Sequence, residues 1–352
     1  MEVCEYGSEF DWQANEAFLI KEENNLFSTA KKFRSGRDAM KAVAAWAKAQ
    51  YKNVLLPALC CESMVSPFTM HGMTPVFYKL NPDYTADLSD VNEKLTPNSI
   101  LLYGSYFGIA PFADAALQTL RETRTGVLFM EDRTQDVLMP RETGAFEPEV
   151  TVASIRKWIP IADGGLLWTD LPILENGRKE TRFAALRKEA METKSAYLQT
   201  GDMTMKDHFR HLLGEAAELL DESEEPCLMT ADSKALLGKL DFAKIYTCRR
   251  ENAAMLQESL KNTPDLKLIA PMPACSTIYF PIWVKDQVRV QAELAKLGIY
   301  CPVIWPVPEE AEGVCAVAED TAEHMLGVPC DQRYTPEDMK VIGRKIVEIV
   351  HE

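Results

Sequence analysis

The chain has 352 residues, 47% of them apolar and 26% charged, with 38 Lys and Arg against 53 Asp and Glu for a net charge of −15. That balance describes a soluble globular protein and excludes a mainly disordered or fibrous one. The acidic excess argues against a nucleic-acid surface, which needs a basic face to displace counterions, but leaves room for a local basic pocket. No apolar run approaches the ~20 residues that span a bilayer, and the acidic start, MEVCEYGSEFDWQ, lacks the basic head and apolar core of a secretory signal. Nine cysteines without a CxxC or CxxxH spacing fit reduced thiols in a cytoplasmic protein and give no zinc site.

Residues 1–30 are mixed and read as an N-terminal arm. Asp38–Gln50 has the broad apolar face of a helix, and Asn53–Leu56 is a short buried strand ended by Pro57. Cys61–Met70 reads as a helix that Pro67 should interrupt. Strands are expected at Thr74–Leu80, Ser99–Tyr103, Gly126–Met130, Val150–Ala153 and Gly165–Trp168, with helices at Leu88–Leu95 and Ala113–Glu122 between them. This alternation predicts a mostly parallel α/β sheet covered by helices on both faces.

Residues 175–262 are charged and lack strand signals. Arg182–Leu198, His208–Leu220 and Ser233–Leu260 read as helices, with the acidic run Asp221–Glu225 as a solvated break. Ser276–Val284 and Ile299–Ile304 read as strands around a helix at Gln287–Leu297. A last helix, Pro336–Val350, follows Thr335 as its N-cap. A boundary near residue 240 gives a large unit, 1–240, and a smaller C-terminal α/β unit, 241–352.

In parallel sheets ligands sit beyond the carboxyl ends of the strands, so the residues there carry the chemistry. Ser35, Gly36 and Arg37 open the first helix, where free N–H groups and the positive dipole end suit a phosphate. Asp132 and Gln135 follow one strand, in Glu131-Asp-Arg-Thr-Gln135. Ser154 and Lys157 follow the next, before Trp158 and the Gly164-Gly165 strand. A lysine amine is a useful nucleophile when burial or a neighbouring cation lowers its pKa, and Arg156 and the apolar flanks supply both features. A capped helix start, an acidic turn and a lysine stem packed on Trp158 would be the plainer reading of each segment alone.

Their order is more specific, and resembles the DegT-type aminotransferases of the aspartate-aminotransferase fold, which use pyridoxal 5'-phosphate. The resemblance extends to Pro75-Val-Phe-Tyr with Asp83–Asp87, Tyr106-Phe-Gly108, Leu326-Gly-Val-Pro329 and Tyr334–Asp338. It implies that Lys157 forms the Schiff base with the cofactor and moves the α-proton, and that Asp132 keeps the pyridine nitrogen protonated. Gln135 would sit near the ring hydroxyl or hold Asp132. Ser35, Gly36, Arg37 and Ser154 would hold the phosphate, and Cys61 or Tyr106 would cover the ring. Arg333, in the small unit, would grip a substrate carboxylate, against the plainer reading of a surface arginine paired with Asp331. The implied partners are an amino donor and a keto or aldehyde acceptor, among them a keto-sugar nucleotide, handled by a homodimer that binds neither nucleic acid nor membrane.

The chain departs from that family in three ways. The loop after the second strand, Pro57-Ala-Leu-Cys-Cys-Glu-Ser63, has no aromatic residue, Ser154 and Lys157 are closer than in sugar-modifying members, and the chain is short. These departures leave open another pyridoxal-phosphate reaction, such as a lyase, decarboxylase or Cys60-Cys61 desulfurase, and a non-catalytic ligand-binding relative. A nucleotide-binding α/β protein lacks its phosphate loop here. His208 and His211 share a helix face without a third ligand, so no metal site is expected.

Overall fold

Seven strands form one sheet in the computed structural model, which describes residues 4–351. In chain order they are β2 (Lys31–Phe33), β3 (Asn53–Pro57), β4 (Thr74–Tyr78), β5 (Ser99–Gly104), β6 (Leu128–Asp132), β7 (Val150–Ala153) and β8 (Gly165–Trp168). The spatial order is β2-β8-β7-β6-β5-β3-β4. Strands β3 to β7 pair in parallel. Strand β8 runs against both β7 and β2, so β2 points the same way as the parallel strands. The central strands are buried on both faces, which explains why they read as continuous apolar runs without alternation. Helices α1 (Gly36–Ala47), α2 (Glu62–Thr69), α3 (Leu88–Lys94) and α4 (Asp114–Thr123) fill the crossovers.

Helices α5 (Arg182–Thr200), α6 (Met203–Glu218), α7 (Ala231–Leu237) and α8 (Phe242–Leu260) follow the sheet. A three-stranded antiparallel sheet then combines β9 (Leu266–Leu268), β10 (Phe280–Val284) and β12 (Met325–Val328) in the order β12-β10-β9. It packs with α9 (Gln287–Lys296) and α11 (Pro336–His351) around an apolar core drawn from residues 253–349. Helix α10 (Ala316–His324) precedes β12. The N-terminal segment reaches this second core: β1 (Tyr6–Gly7) pairs in parallel with β11 (Ile299–Tyr300).

The fold is the mostly parallel α/β architecture expected from the sequence, with four local differences. Pro67 lies inside α2 without ending it. The helix expected over Ser233–Leu260 is two helices, because the N-terminal segment takes the intervening backbone: Ile20 and Asn24 N–H donate to the carbonyls of Lys239 and Gly238. Asp241 then starts α8 by accepting from Lys244 N–H at 2.9 Å. Strand β10 begins only at Phe280, since Thr277 adopts a positive φ of 62° and Ser276 N–H bonds to Phe107 O. The strand expected over Ile299–Ile304 stops at Tyr300, ahead of Pro302, which has no ladder N–H.

The turn between β7 and β8 is pressed against the start of α1. A Cβ at Gly165 would lie 1.9 Å from the backbone oxygen of Ser35, and one at Gly164 would meet Ile161 and Ile155 at 2.7 and 2.8 Å. Gly165→Ala is therefore expected to cost about 3 kcal/mol through backbone displacement. Gly214→Ala, in α6 with open space around it, should instead stabilise by roughly 0.5–1 kcal/mol. Urea unfolding of both variants measures the contrast, and equal midpoints would remove the close-approach argument.

Candidate active site

The carboxyl ends of β2, β3, β5, β6 and β7 open on one cavity of about 210 Å³. Ser35, Gly36, Arg37, Cys61, Tyr106, Asp132, Gln135, Ser154 and Lys157 all line it, with Ser105, Thr134, Arg156 and Trp305. Of the residues singled out in the sequence as cofactor or substrate ligands, only Arg333 is not among the lining residues.

Ser35 caps α1: its hydroxyl accepts from Asp38 N–H at 3.1 Å and donates to the Asp38 carboxylate at 2.6 Å. Asp38 also takes a two-pronged bond from Arg34, at 2.9 and 3.0 Å, and the pair is almost fully buried. This fixes the direction of the first turn. The N–H groups of Gly36 and Arg37, at the first two helical positions, have no intrahelical acceptor by geometry and stand at the cavity wall. Gly36 comes so close to Ser154 that a Cβ there would lie 3.1 Å from the Ser154 Cβ. The Arg37 guanidinium turns away to pair with Asp221. Asp221 is thus more than part of a solvated acidic run: it holds Arg37, while Lys41 donates to the backbone oxygens of Leu220 and Ser223.

Asp132 ends β6, half-buried at the cavity wall. Its carboxylate accepts from Thr134 N–H at 2.8 Å. Burial raises the Asp132 carboxyl above the ordinary aspartate range, while the bonds from Thr134 and the charge of Lys157 pull it back down. Thr134 bridges the two strand ends. Its hydroxyl accepts from Ser154 N–H at 2.9 Å, and its carbonyl accepts from the Trp158 indole at 2.8 Å. Sequence reasoning missed Thr134, although a hydroxyl two residues beyond an aspartate in a strand-end turn is a usable signal.

The lysine turn is also held from the C-terminal part of the chain. Arg249, fully buried on α8, donates to Trp158 O at 2.8 Å, to Thr277 O at 2.8 Å and to the Gln332 side chain at 2.7 Å. Gln332 also donates to Trp158 O, at 3.0 Å. Backbone immediately after Lys157 is thus fixed by two side chains distant in sequence.

Tyr106 is buried and donates to Leu59 O at 2.7 Å. The Cys61 thiol lies 2.8 Å from the Ser63 hydroxyl. Trp305, stacked on Phe107, adds an aromatic wall. Arg333 directs its fork at Asp331, with two bonds of 2.8 Å, and donates to the backbone oxygens of Glu9 and Ser8. Arg333 thus stands outside the lining of the cavity, with its planar donors matched to an adjacent carboxylate as in the plainer of the two sequence readings.

A phosphorylated aromatic aldehyde fits this donor set. Gly36 and Arg37 N–H groups with Ser154 suit a phosphate. Buried polar atoms without hydrogen-bond partners, Gln135 Oε1 and Ser105 Oγ, stand at the same wall, and such atoms are costly unless something pairs with them. Asp132 and Lys157 both line the cavity, near enough for the Lys157 charge to act on the Asp132 carboxyl. Among the described residues no cluster suits a metal ion, and no helix is long and apolar enough to cross a membrane.

No protein-family model and no curated protein matches the sequence. Solved structures do match the fold. PseC of Helicobacter pylori, an aminotransferase involved in the biosynthesis of pseudoaminic acid, superposes with a TM-score of 0.67 at 14% identity over 100% of both chains. The aminotransferase TlmJ of Streptoalloteichus hindustanus gives 0.66 at 16% identity over 100% of this chain and 99% of its own. DesI, solved in the presence of its TDP-sugar product, gives 0.65 at 15% identity, covering 98% of this chain and 86% of its own. The chain therefore has the fold of these aminotransferases along its whole length.

Proposed function

We propose that the protein is a pyridoxal-phosphate-dependent aminotransferase that moves an amino group from an amino acid to a keto or aldehyde acceptor. The observation that carries this reading is the convergence of Asp132, Lys157 and the first turn of α1 on one cavity. Pyridoxal phosphate supplies an aldehyde that takes up an amino nitrogen and a ring that accepts electrons from the substrate carbon. The chain's own residues hold and aim it. Gly36 and Arg37 N–H groups and the Ser154 hydroxyl bind the phosphate. The Asp132 carboxylate would accept a hydrogen bond from the pyridine N–H and keep that nitrogen protonated, with Thr134 fixing its orientation and Gln135 beside it. The Lys157 amine holds the aldehyde carbon and then carries the proton at the substrate α-carbon. Cys61, Tyr106 and Trp305 enclose the ring.

A keto-sugar nucleotide is the acceptor class favoured by the sequence resemblance and by the likeness to DesI, whose product is a TDP-sugar. Residues 1–240 form the cofactor-binding unit in this reading, and 241–352 the small unit. We place the enzyme in the cytoplasm as a homodimer, in keeping with its free cysteines. Of the Cys60-Cys61 pair, Cys60 is fully buried with its thiol pushed up by that burial, so a desulfurase would have to use Cys61 at the cavity wall.

Added pyridoxal phosphate should give a visible absorption band, and borohydride reduction should leave a covalent adduct that peptide mapping assigns to Lys157. Lys157→Ala should lose both. A wild-type protein without band or adduct would refute the proposal.

Asp132 gives a second test. A carboxyl raised in the folded state costs stability once the unfolded chain ionises, so the cost is absent below the ordinary aspartate range and present at neutral pH. Without cofactor, Asp132→Asn should therefore melt higher than wild type near pH 7, and the gap should close as the pH falls below about 4. With pyridoxal phosphate added the order should reverse, because only the carboxylate pairs with the ring proton. Thermal melts across pH, with and without cofactor, measure this, and a gap independent of pH would contradict it.

A further inference from the structure

Arg156 and Lys157 form a wall shared by two cavities. One is the cofactor cavity just described. The other, of about 780 Å³, lies between the N-terminal segment, α6, α9 and the turn at Tyr300–Pro302. Its size is in the range of small-molecule sites. The amine proposed to react is thus reachable from a chamber to which no role has been given above.

Arg156 is unlike the arginines around it. Arg34 pairs with Asp38, Arg37 with Asp221, Arg187 with Glu9 at 3.0 Å, and Arg333 with Asp331. Arg156 makes no ion pair among the described residues, and its Nε is buried without a hydrogen-bond partner. Its guanidinium lies 5.8 Å from the Phe183 ring, which Arg34 and Arg187 also approach at 5.4 and 5.9 Å. Burial, and then the charge of Arg187, bring the Arg156 guanidinium down to about 10. A buried cation among cations is stabilised by an incoming anion and penalised by a neutral ligand.

We propose that the larger cavity is the substrate chamber and that Arg156 binds a carboxylate of the substrate there, beside Lys157. This rests on the reading of Lys157 as the reacting amine. The carboxylate is assigned to the substrate and not to the cofactor phosphate for two reasons. The phosphate already has the first turn of α1 and Ser154. The charges that act most strongly on Arg156 are Arg187 and Glu9, and Glu9 lines the larger cavity. Glu9 offsets the Arg156 charge only in part, because its carboxylate is hydrogen-bonded to Arg187 and held down to about 2, by Arg187 first and also by Arg156. Arg156 thus takes the position at the substrate that Arg333 does not occupy.

The test is calorimetric titration of the full chain, with and without pyridoxal phosphate, with succinate as a non-reacting dicarboxylate and succinamide as its neutral counterpart. Succinate should bind wild type, Arg156→Gln should weaken it at least about tenfold, and Arg156→Lys should fall between. Succinamide should bind all three poorly. The preference for pyridoxal phosphate over pyridoxal should be the same in all three. Succinate affinity unchanged in both variants would overturn the proposal, and so would a loss confined to pyridoxal phosphate, which would give the guanidinium to the cofactor. Melting temperatures of the two variants show whether each is folded, and Arg156→Lys keeps the test valid if Arg156→Gln is not. The adduct at Lys157 is read in the same samples. Arg156-dependent succinate binding without an adduct supports the chamber and refutes the cofactor, while an adduct with Arg156-independent binding does the opposite.

Discussion

Thr134 sets the distance between acid and amine. Its N–H donates to Asp132, its hydroxyl accepts from the backbone of Ser154, and its carbonyl accepts from the Trp158 indole. Three polar groups of one residue therefore tie the end of β6 to the turn after β7, on both sides of Lys157. Each bond alone contributes about 1 kcal/mol. Their value lies in geometry, since a carboxylate and an amine that serve one small ring, as proposed above, tolerate little relative motion. Arg249 and Gln332 extend the restraint by binding Trp158 O from the C-terminal part of the chain.

Much of this site was legible in the sequence because a parallel sheet delivers its strand ends to one edge. Asp132, Gln135, Ser154 and Lys157 each follow an apolar run short enough to be a strand, and the Gly-Gly pair marks a close approach. The structure gives that approach a partner, the backbone of Ser35. What the sequence could not give is side-chain commitment. Arg333 and Asp331 are two residues apart, and the sequence offers both readings, a pair with each other and a fork for a ligand, without a pattern that decides between them. Arg37 is spent on Asp221 across 184 residues of chain, a pairing that no local pattern encodes. Thr134 was hidden for a different reason: a threonine in a strand-end turn reads as turn chemistry until the neighbouring strand is placed beside it.

Two of the boundary differences have a common cause. The helix expected over Ser233–Leu260 is divided where the N-terminal segment hydrogen-bonds to Gly238 and Lys239. Strand β10 starts late where Ser276 bonds to Phe107, in the loop that also carries Tyr106. Both are backbone pairings between segments far apart in sequence, and local propensity carries no information about them.

Net charge and site charge point in opposite directions here. At −15 overall the protein repels anions at long range, yet Arg34, Arg37, Arg156 and Arg187 gather near the two cavities with Lys41 and Lys157. Salt screens interactions beyond about 8 Å at physiological ionic strength, so a ligand inside a cleft responds to the nearest few groups. Among those, most guanidinium charge is already balanced by Asp38, Asp221 and Glu9, which hold the arginines in place and prevent a diffuse positive patch. Lys41 donates only to backbone carbonyls, Lys157 acts on the Asp132 carboxylate, and of these four arginines Arg156 alone has no ion pair among the described residues. Paired arginines build the frame and, in the assignment proposed above, Arg156 meets the ligand, so specificity for an anionic substrate is compatible with an acidic protein.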